Sequence, residues 1–237
     1  MSVVLAPACA ACARPLEDPL RSAVCDRCWN GIRVLQPPFC GVCGDPLLTW
    51  RSVDEGYRCE LCRVRRPHVT AGRAIGDYDG PLRAIVHALK YDGRRSLARP
   101  LSGLLRRHAG PILSGADLAV PVPLHWSRQW RRGFNQAREL AVGLGLPVRT
   151  LLKRRRHTRS QTGLSAEERY ANVRDAFVLS RGAGPFDGLC IVLVDDVSTT
   201  GATLEACARV LKEAGAREVR TLTAARVATG QSPIWHP

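Results

Sequence analysis

The apolar and polar positions divide the chain into two parts with different periodicity. Up to about residue 66, apolar residues are few and follow no regular period. From residue 71 onward, short apolar runs typical of strands alternate with segments whose apolar residues recur every three or four positions, as in amphipathic helices. This alternation predicts an α/β fold: an open, mainly parallel sheet with helices on both faces.

The pattern predicts five strands and five helices after residue 70. The run CIVLV at 190–194 is continuously apolar, as expected of a parallel strand buried on both faces. Ser165 with Glu168 three positions later predicts a capping box at a helix start. The strands are predicted at 71–78, 117–123, 148–152, 190–194 and 217–227, and the helices at 81–93, 94–110, 134–146, 165–173 and 203–215.

Eight of the ten cysteines form four Cys-x-x-Cys pairs before residue 63. Two thiolates separated by two residues can face one cation, and two such pairs complete a tetrahedral shell of four sulfurs. Four pairs in series are typical of metal binding, and all-thiolate ligation favours Zn²⁺. We therefore expect two structural zinc ions in place of the core that this segment cannot build. The pairs are Cys9/Cys12, Cys25/Cys28, Cys40/Cys43 and Cys59/Cys62.

The spacing leaves alternatives for these pairs. A disulfide scaffold fits the cysteine count, although the N-terminus lacks the basic start and long apolar run of a signal peptide. Iron–sulfur ligation uses the same side chains. Zinc pairing is either sequential, with the first two pairs on one ion and the last two on the other, or interleaved. The remaining Cys190 and Cys207 fall on apolar stretches and are expected to pack in the core.

Charge and composition narrow the class of protein. With 45% apolar and 24% charged residues the chain is predicted to be globular, and no run approaches the ~18 apolar residues of a spanning helix. We therefore expect no membrane insertion and a cytoplasmic location. The net charge is +14, of which residues 67–237 carry +12, nearly all of it arginine. Such an excess favours phosphate-bearing partners, although a solvated basic surface also accounts for it.

One segment combines a buried strand, two acids, a hydroxyl-rich loop and a helix. In 191-IVLVDDVSTTGATLEAC-207 the strand is expected to end at Asp195 and Asp196, with the carboxylates beyond the core. Ligands bind beyond the carboxyl ends of strands in open α/β sheets. A loop rich in Gly and Thr before a helix offers amides and hydroxyls to a phosphate, and two carboxylates accept hydrogen bonds from vicinal hydroxyls. The segment thus predicts a site for a sugar phosphate. The P-loop pattern G-x-x-x-x-G-K-[ST] is absent, and no G-x-G-x-x-G dinucleotide-binding pattern follows a strand.

At these residues the sequence resembles the 5-phosphoribosyl-1-pyrophosphate (PRPP) signature of type I phosphoribosyltransferases. From residue 9 to 225 the chain resembles the ComF family of competence-associated proteins, through the cysteine pairs, LKYDG (89–93), PVPLHWSRQWRRGFNQARELA (121–141) and the block from His157 to Phe177. The resemblance implies a double zinc ribbon at 1–66, a phosphoribosyltransferase-like domain at 67–230 and a tail at 231–237. It also implies Mg²⁺ as a cofactor with PRPP, and partners in the competence machinery.

The resemblance also assigns site residues. Asp195 and Asp196 are the expected catalytic residues that hold the ribose hydroxyls. Ser198 departs slightly from the family, in which larger side chains are common at that position. The expected PRPP-binding residues are Ser198, Thr199, Thr200, Gly201, Ala202 and Thr203 around the 5′-phosphate, Val122, Pro123, Arg128 and Arg132 near the pyrophosphate, and Arg159.

Three further features have more than one interpretation. The basic segment 153–163 has three interpretations: a mobile lid that closes on pyrophosphate, a nucleic-acid patch, or a solvated loop. For Trp126 and Trp130 the two interpretations are stacking on a base and packing in a core or interface. His125 falls in the predicted pyrophosphate loop.

The leading hypothesis is a phosphoribosyltransferase that displaces pyrophosphate from PRPP; no residue stands out as a general base, so the acceptor is not specified. A second hypothesis is a single-stranded DNA-binding protein of DNA uptake or recombination, in which PRPP binding is regulatory. A third is a scaffold whose ribbons dock a partner protein.

Overall fold

A computed structural model describes residues 7–47, 53–54, 56–155 and 165–227 of the chain. Its helices, in chain order, are α1 (Asp26–Asn30), α2 (Glu60–Arg65), α3 (Gly80–Tyr91), α4 (Ala98–His108), α5 (Gly110–Leu113), α6 (Trp126–Arg132), α7 (Gln136–Val142), α8 (Ala166–Val173) and α9 (Ala202–Glu213). Its strands are β1 (Ala71–Asp77), β2 (Leu118–Pro121), β3 (Leu152–Arg154), β4 (Phe177–Leu179), β5 (Cys190–Ser198) and β6 (Glu218–Arg226). Among these helices, none combines the length and apolar character needed to cross a membrane.

Four strands form one parallel sheet in the order β1-β6-β5-β2, which confirms the predicted fold class. Residues of α3, α4 and α7 pack against one face of the sheet, and residues of α9 pack against the other. Five consecutive residues of β5, from Cys190 to Val194, are completely buried, because helices cover the strand on both faces. Cys207 packs in the same core, as the sequence predicts for both cysteines.

The local signals that define helix ends are confirmed where they are strongest. The hydroxyl of Ser165 accepts a hydrogen bond from the Glu168 amide, and the Glu168 carboxylate accepts one from the Ser165 amide, so the capping box is complete. At the start of α9, Gly201 adopts a left-handed conformation with φ of 77°. An L-amino acid side chain at this position would be strained, since this region of φ favours glycine.

Several elements differ from the sequence prediction. Strand β4 and the short helix α5 were not predicted. The predicted strand at 148–152 is wrong except for its last residue, since β3 begins at Leu152 and continues through Lys153 and Arg154, which pair antiparallel with β4. Helix α6 was not predicted, since its stretch WSRQWRR has no apolar periodicity toward a core. Strand β5 continues through both acids to Ser198, because its partner β6 extends equally far.

The cysteine-rich segment consists of two copies of one small unit, a repeat that the sequence analysis did not detect. An antiparallel bridge joins Ala8 to Pro15 in the first unit and Phe39 to Pro46 in the second, with an offset of 31 residues. The same offset relates the backbone hydrogen bonds from Cys9 to Arg14 and from Cys40 to Asp45. The sequence carries the same repeat, since the pattern P-x-C-x-x-C-x-x-P-L occurs at 7–16 and again at 38–47.

Both units pack against the domain that follows them. The first contributes Cys9, Val24, Cys28 and Ile32 to the same core cluster as α3. The segment after α1 pairs with the edge strand β1, since Leu35 donates its amide to the Ile75 carbonyl at 2.8 Å. In the second unit Gly44 lies so close to β1 that an added Cβ would meet the Gly72 carbonyl oxygen. The proposed division at residue 66 therefore separates two parts that share a core.

Candidate functional site

The two groups of four cysteines have the geometry of tetrahedral zinc sites. Within each group the sulfurs lie within 4.8 Å of one another. Adjacent sulfurs are 3.9 Å apart between Cys12 and Cys25 and 3.8 Å apart between Cys43 and Cys59. Zn–S bonds of about 2.3 Å in a tetrahedron require S–S separations of about 3.8 Å. The donor set and spacing therefore fit zinc, and the double zinc ribbon has two structural sites.

The grouping decides how the cysteine pairs combine. Sequential pairing is confirmed: one site holds Cys9, Cys12, Cys25 and Cys28, and the other holds Cys40, Cys43, Cys59 and Cys62. The interleaved arrangement is wrong, and all eight thiols are free, so a disulfide scaffold is wrong as well. In each site the amide of the third cysteine donates to the sulfur of the first, which stabilises a thiolate.

The acidic pair lies near the carboxyl end of the central strand β5, beside the end of β2. The Val122 amide donates to the Val194 carbonyl at 2.9 Å, which brings the predicted pyrophosphate segment next to Asp195 and Asp196. Val122 and Pro123 are both buried there. Contrary to the prediction that the carboxylates lie outside the core, Asp196 is only 7% exposed, because α3 packs over that face of β5.

Lys90 at the end of α3 forms an ion pair with the acidic pair, a role that sequence reasoning missed. Its Nζ is 2.8 Å from Asp196 Oδ1. Burial opposes the charge on Lys90, but the carboxylates of Asp196 and Asp195 outweigh this effect, so the pKa of Lys90 is raised. The only sequence signal was the position of Lys90 in the block LKYDG.

The pKa of Asp195 lies near neutral pH. Burial and the adjacent charge of Asp196 raise the pKa of Asp195 to about 7, although Lys90 and Arg154 act in the opposite direction. A carboxyl with this pKa is half ionised at neutral pH. A cation or a hydroxyl donor that binds beside it favours the charged form.

Arg154 is a second cation of the site that the sequence did not identify as such. Its side chain is buried, and its guanidinium lies 5.4 Å from the centre of the Phe177 ring. Burial and the nearby charge of Arg128 lower the pKa of Arg154, while Cys207 and Asp195 raise it. The charge of Arg154 thus interacts with the charges of both Arg128 and Asp195. Because β3 holds Arg154, the interpretation of 153–163 as a loop is wrong for its first two residues.

Residues 199–201 lead from β5 into α9, whose first turn begins with Ala202 and Thr203. The hydroxyl of Thr200 accepts a hydrogen bond from the Ala202 amide at 3.4 Å. An added Cβ at Gly201 would meet no atom within 4 Å, so the space above the loop is empty. The first amides of a helix have no intrahelical acceptor and carry the positive end of its dipole. The loop therefore has the chemistry of an anion site.

Ser198 lies apart from the rest of this loop. It is buried at the end of β5, and its hydroxyl contacts no hydrogen-bonding partner in the described ranges. It lines a cavity toward the second zinc ribbon together with Thr221 and Arg226.

Helix α6 carries Arg128 and Arg132 next to the end of β2. The ring of the buried His125 caps the helix by accepting the Ser127 amide, so His125 holds the helix start. The guanidinium of Arg132 lies 4.9 Å from the centre of the Tyr91 ring and donates to Gln136. Arg159 lies outside the described residues, as does segment 156–163.

Trp126 and Trp130 project from α6 one turn apart and are 73% and 87% exposed. Neither is packed in the core of the described chain. Two tryptophans exposed to this extent form a surface on which planar groups can stack.

Two family models match the two parts of the chain. A family model described as "Double zinc ribbon domain" matches residues 1–63, and one described as "Phosphoribosyl transferase domain" matches residues 130–236. A solved structure of glutamine phosphoribosylpyrophosphate amidotransferase from B. subtilis is 26% identical, with a TM-score of 0.37, over 60% of this chain and 28% of that one.

Two curated relatives cover most of the chain. "Competence protein F" of Haemophilus influenzae is 32% identical over 219 residues, which is 87% of this chain and 91% of the relative. "DNA utilization protein YhgH" of Salmonella typhimurium is 35% identical over 209 residues, or 83% of this chain and 87% of the relative. The chain therefore belongs to the ComF family, competence-associated proteins that join a double zinc ribbon to a phosphoribosyltransferase-like domain.

Proposed function

We propose that the chain binds PRPP at the end of β5 and transfers its phosphoribosyl group to a nitrogen acceptor. The observation that carries the proposal is the juxtaposition of the acidic pair Asp195–Asp196 with the open first turn of α9. The carboxylates would accept hydrogen bonds from the ribose hydroxyls, and the amides and hydroxyls of Thr199 to Thr203 would hold the 5′-phosphate.

In this reaction the bond between C1 and the pyrophosphate oxygen breaks, and the electron pair leaves with pyrophosphate. A bond forms between C1 and the acceptor nitrogen, whose proton passes to solvent. Arg128 and Arg132 would bind the departing pyrophosphate, since guanidinium groups match phosphate oxygens. Such catalysis depends on positioning and charge stabilisation rather than on a general base of the protein.

A divalent metal is part of this proposal. The carboxylates of Asp195 and Asp196 are oxygen donors of the kind that suit Mg²⁺ near a diol and a pyrophosphate. Bound with PRPP, Mg²⁺ would neutralise charge on the leaving pyrophosphate. With the two acids deprotonated, the protein would orient the ribose hydroxyls toward that ion.

The test is calorimetric titration of PRPP with and without Mg²⁺, followed by a screen of nitrogenous acceptors for pyrophosphate release. Mg²⁺-dependent PRPP binding and release with at least one acceptor would support the transferase. Failure to bind PRPP or ribose 5-phosphate would contradict it. Eight cysteines that bind zinc as thiolates must stay reduced, which supports the cytoplasm as the place of this activity.

A second candidate function is single-stranded DNA binding, favoured by the exposed Trp126 and Trp130 on α6. Arg131 is exposed on the same helix, and Arg128 is partly exposed. Aromatic rings beside arginines are typical of surfaces that stack bases and track a phosphate backbone. Binding of this kind should weaken with salt at a log–log slope of about −0.7 per phosphate contacted. A salt-independent affinity, or none, would contradict it.

A further inference from the structure

A cavity of about 290 Å³ lies between the second zinc ribbon and the sheet, on the ribbon side of the proposed phosphate loop. Helix α2 and the linker after it form one wall, and α9 and β6 form the opposite wall. Its size is near the lower end of pockets that hold small organic ligands, about 300 Å³.

The walls of the cavity are largely apolar. Val42, Leu61, Val69 and Leu204 line it, together with the ring of Tyr170. Surfaces of this composition favour a flat ring system, since the ring can lie against aliphatic and aromatic carbon on both sides.

Two of the charged groups in the lining are already paired. The Arg226 guanidinium donates to Asp45 Oδ2 at 2.7 Å. The Glu205 carboxylate accepts from the His68 amide at 2.8 Å and lies 2.6 Å from the His68 ring. The second Glu205 oxygen accepts from the Val69 amide, so contacts within the chain engage both of these charged groups.

Arg65 differs from these two groups. Its guanidinium lies 4.2 Å from the centre of the Tyr170 ring, and it is in no ion pair with an acid of the described chain. An exposed cation that stacks on an aromatic ring at the rim of an apolar cavity attracts an anionic group on a ring. An apolar cavity with a cation at its rim thus suits an aromatic anion.

The cavity and the phosphate loop share a wall. Thr200 and Gly201 belong to the loop and also line the cavity. Tyr170 donates its hydroxyl to the Thr200 carbonyl at 2.9 Å. A ligand that contacts the Tyr170 ring thus touches a residue that holds the loop, so the two sites have a physical connection.

We propose that this cavity binds a small aromatic anion and that its occupancy changes the affinity of the phosphate loop for sugar phosphates. The first part stands on the cavity alone, and the second rests on the proposed function. By thermodynamic linkage, each ligand must change the affinity of the other by the same factor.

The experiment uses the zinc-loaded full chain, with 2-naphthoate as the probe and fluorescence titration as the readout. Arg65→Met should weaken 2-naphthoate binding about five-fold, since an exposed ion pair contributes up to about 1 kcal/mol. Arg63→Met is the matched control on the same helix, because Arg63 lies over the Tyr57 ring and does not line the cavity. Leu61→Trp, at a lining position that is 46% exposed, should block binding by filling the cavity.

The linkage is measured by repeating the titration with saturating ribose 5-phosphate, and then in the reverse order. The 2-naphthoate affinity should change by the same factor in both directions. Tyr170→Phe keeps the ring but removes the hydrogen bond to Thr200, so 2-naphthoate should still bind while the coupling factor falls toward one. An unchanged coupling factor in this variant would contradict the route through Tyr170.

The outcomes separate the two proposals. If wild-type protein does not bind 2-naphthoate, or if Arg65→Met and Leu61→Trp bind it as well as wild type, the cavity proposal is overturned. If 2-naphthoate binds but ribose 5-phosphate does not, the proposed function fails and the cavity remains an independent site. If both bind without affecting each other, the coupling is overturned.

Discussion

Lys90 Nζ and Asp196 Oδ1 are 2.8 Å apart, and only 15% and 10% of their respective side chains are exposed. The pair joins the end of α3 to the acidic end of β5 across the core. The charge of Lys90 holds the Asp196 carboxylate in place and also acts on the neighbouring Asp195. The site is therefore built by contacts between segments about 100 residues apart in the chain.

Lys90→Met should destabilise the fold, because it leaves Asp196 buried without its cation. Breaking a buried ion pair costs about 3–5 kcal/mol. The control is Arg33→Met, which removes a pair with Asp79 whose side chains are 71% and 61% exposed, and exposed pairs contribute about 0–1 kcal/mol. Urea denaturation measures both. Equal effects of the two substitutions would show that the Lys90 pair is not desolvated.

Asp195 should make the protein less stable as the pH rises from about 4 to about 7. The pKa of Asp195 is 3.8 for an unperturbed side chain, as in the unfolded state, and about 7 in the folded chain. Between these two values the folded state therefore binds more protons than the unfolded state. Asp195→Asn removes this penalty. The variant should melt at a higher temperature than wild type at pH 8, with a smaller difference at pH 4. A difference that does not depend on pH would contradict the raised pKa.

Metal analysis of the purified protein should give two zinc ions per chain, one for each group of four cysteines. Cys9→Ser should remove one zinc and lower the melting temperature of the whole chain, because Cys9 and its neighbours share a core with α3. Cys190→Ala is the control and should retain both ions. If Cys9→Ser loses its zinc while the sheet domain melts as in wild type, the shared core does not stabilise the fold.

The combined substitution of Trp126 and Trp130 by Ala should weaken binding of a single-stranded oligonucleotide by at least ten-fold. Base–aromatic stacking contributes about 1–3 kcal/mol per base, and about 1.4 kcal/mol corresponds to ten-fold. Replacement of both by Phe preserves an aromatic face and should retain most of the affinity. Fluorescence anisotropy measures both variants. Equal affinity of the Ala variant and wild type would exclude this face as the binding surface.

Local sequence patterns predict those parts of the molecule that local chemistry determines. The spacing of the cysteine pairs is enough to predict two metal sites, since each knuckle is formed by neighbours in the chain. The apolar run from Cys190 to Val194 is likewise enough to predict a buried parallel strand. Sequential zinc pairing could not be chosen from spacing, because it depends on how the two ribbon units fold separately.

Residues of the site that depend on tertiary contacts were not predictable. In the sequence Lys90 lies on the polar side of a predicted amphipathic helix, and its pairing with Asp196 depends on how α3 packs. In the sequence Arg154 belongs to a basic run, and its burial depends on Phe177 from the paired strand β4. A strand position for a charged residue becomes evident only when its partner strand is known.

In the proposed complex, Asp195 and Asp196 hold a ribose whose 5′-phosphate lies in the loop before α9. The decisive measurement is the affinity for ribose 5-phosphate in Mg²⁺, compared between wild type and the double variant Asp195→Asn/Asp196→Asn, with inorganic phosphate as the internal control and thermal melting as the check on folding. Loss of charge-assisted hydrogen bonds, each contributing about 1.5–3 kcal/mol, should weaken ribose 5-phosphate binding ten-fold or more. Inorganic phosphate should bind the folded variant at least as well as wild type, because two repelling charges are gone. Undiminished ribose 5-phosphate affinity in the folded double variant would contradict the account.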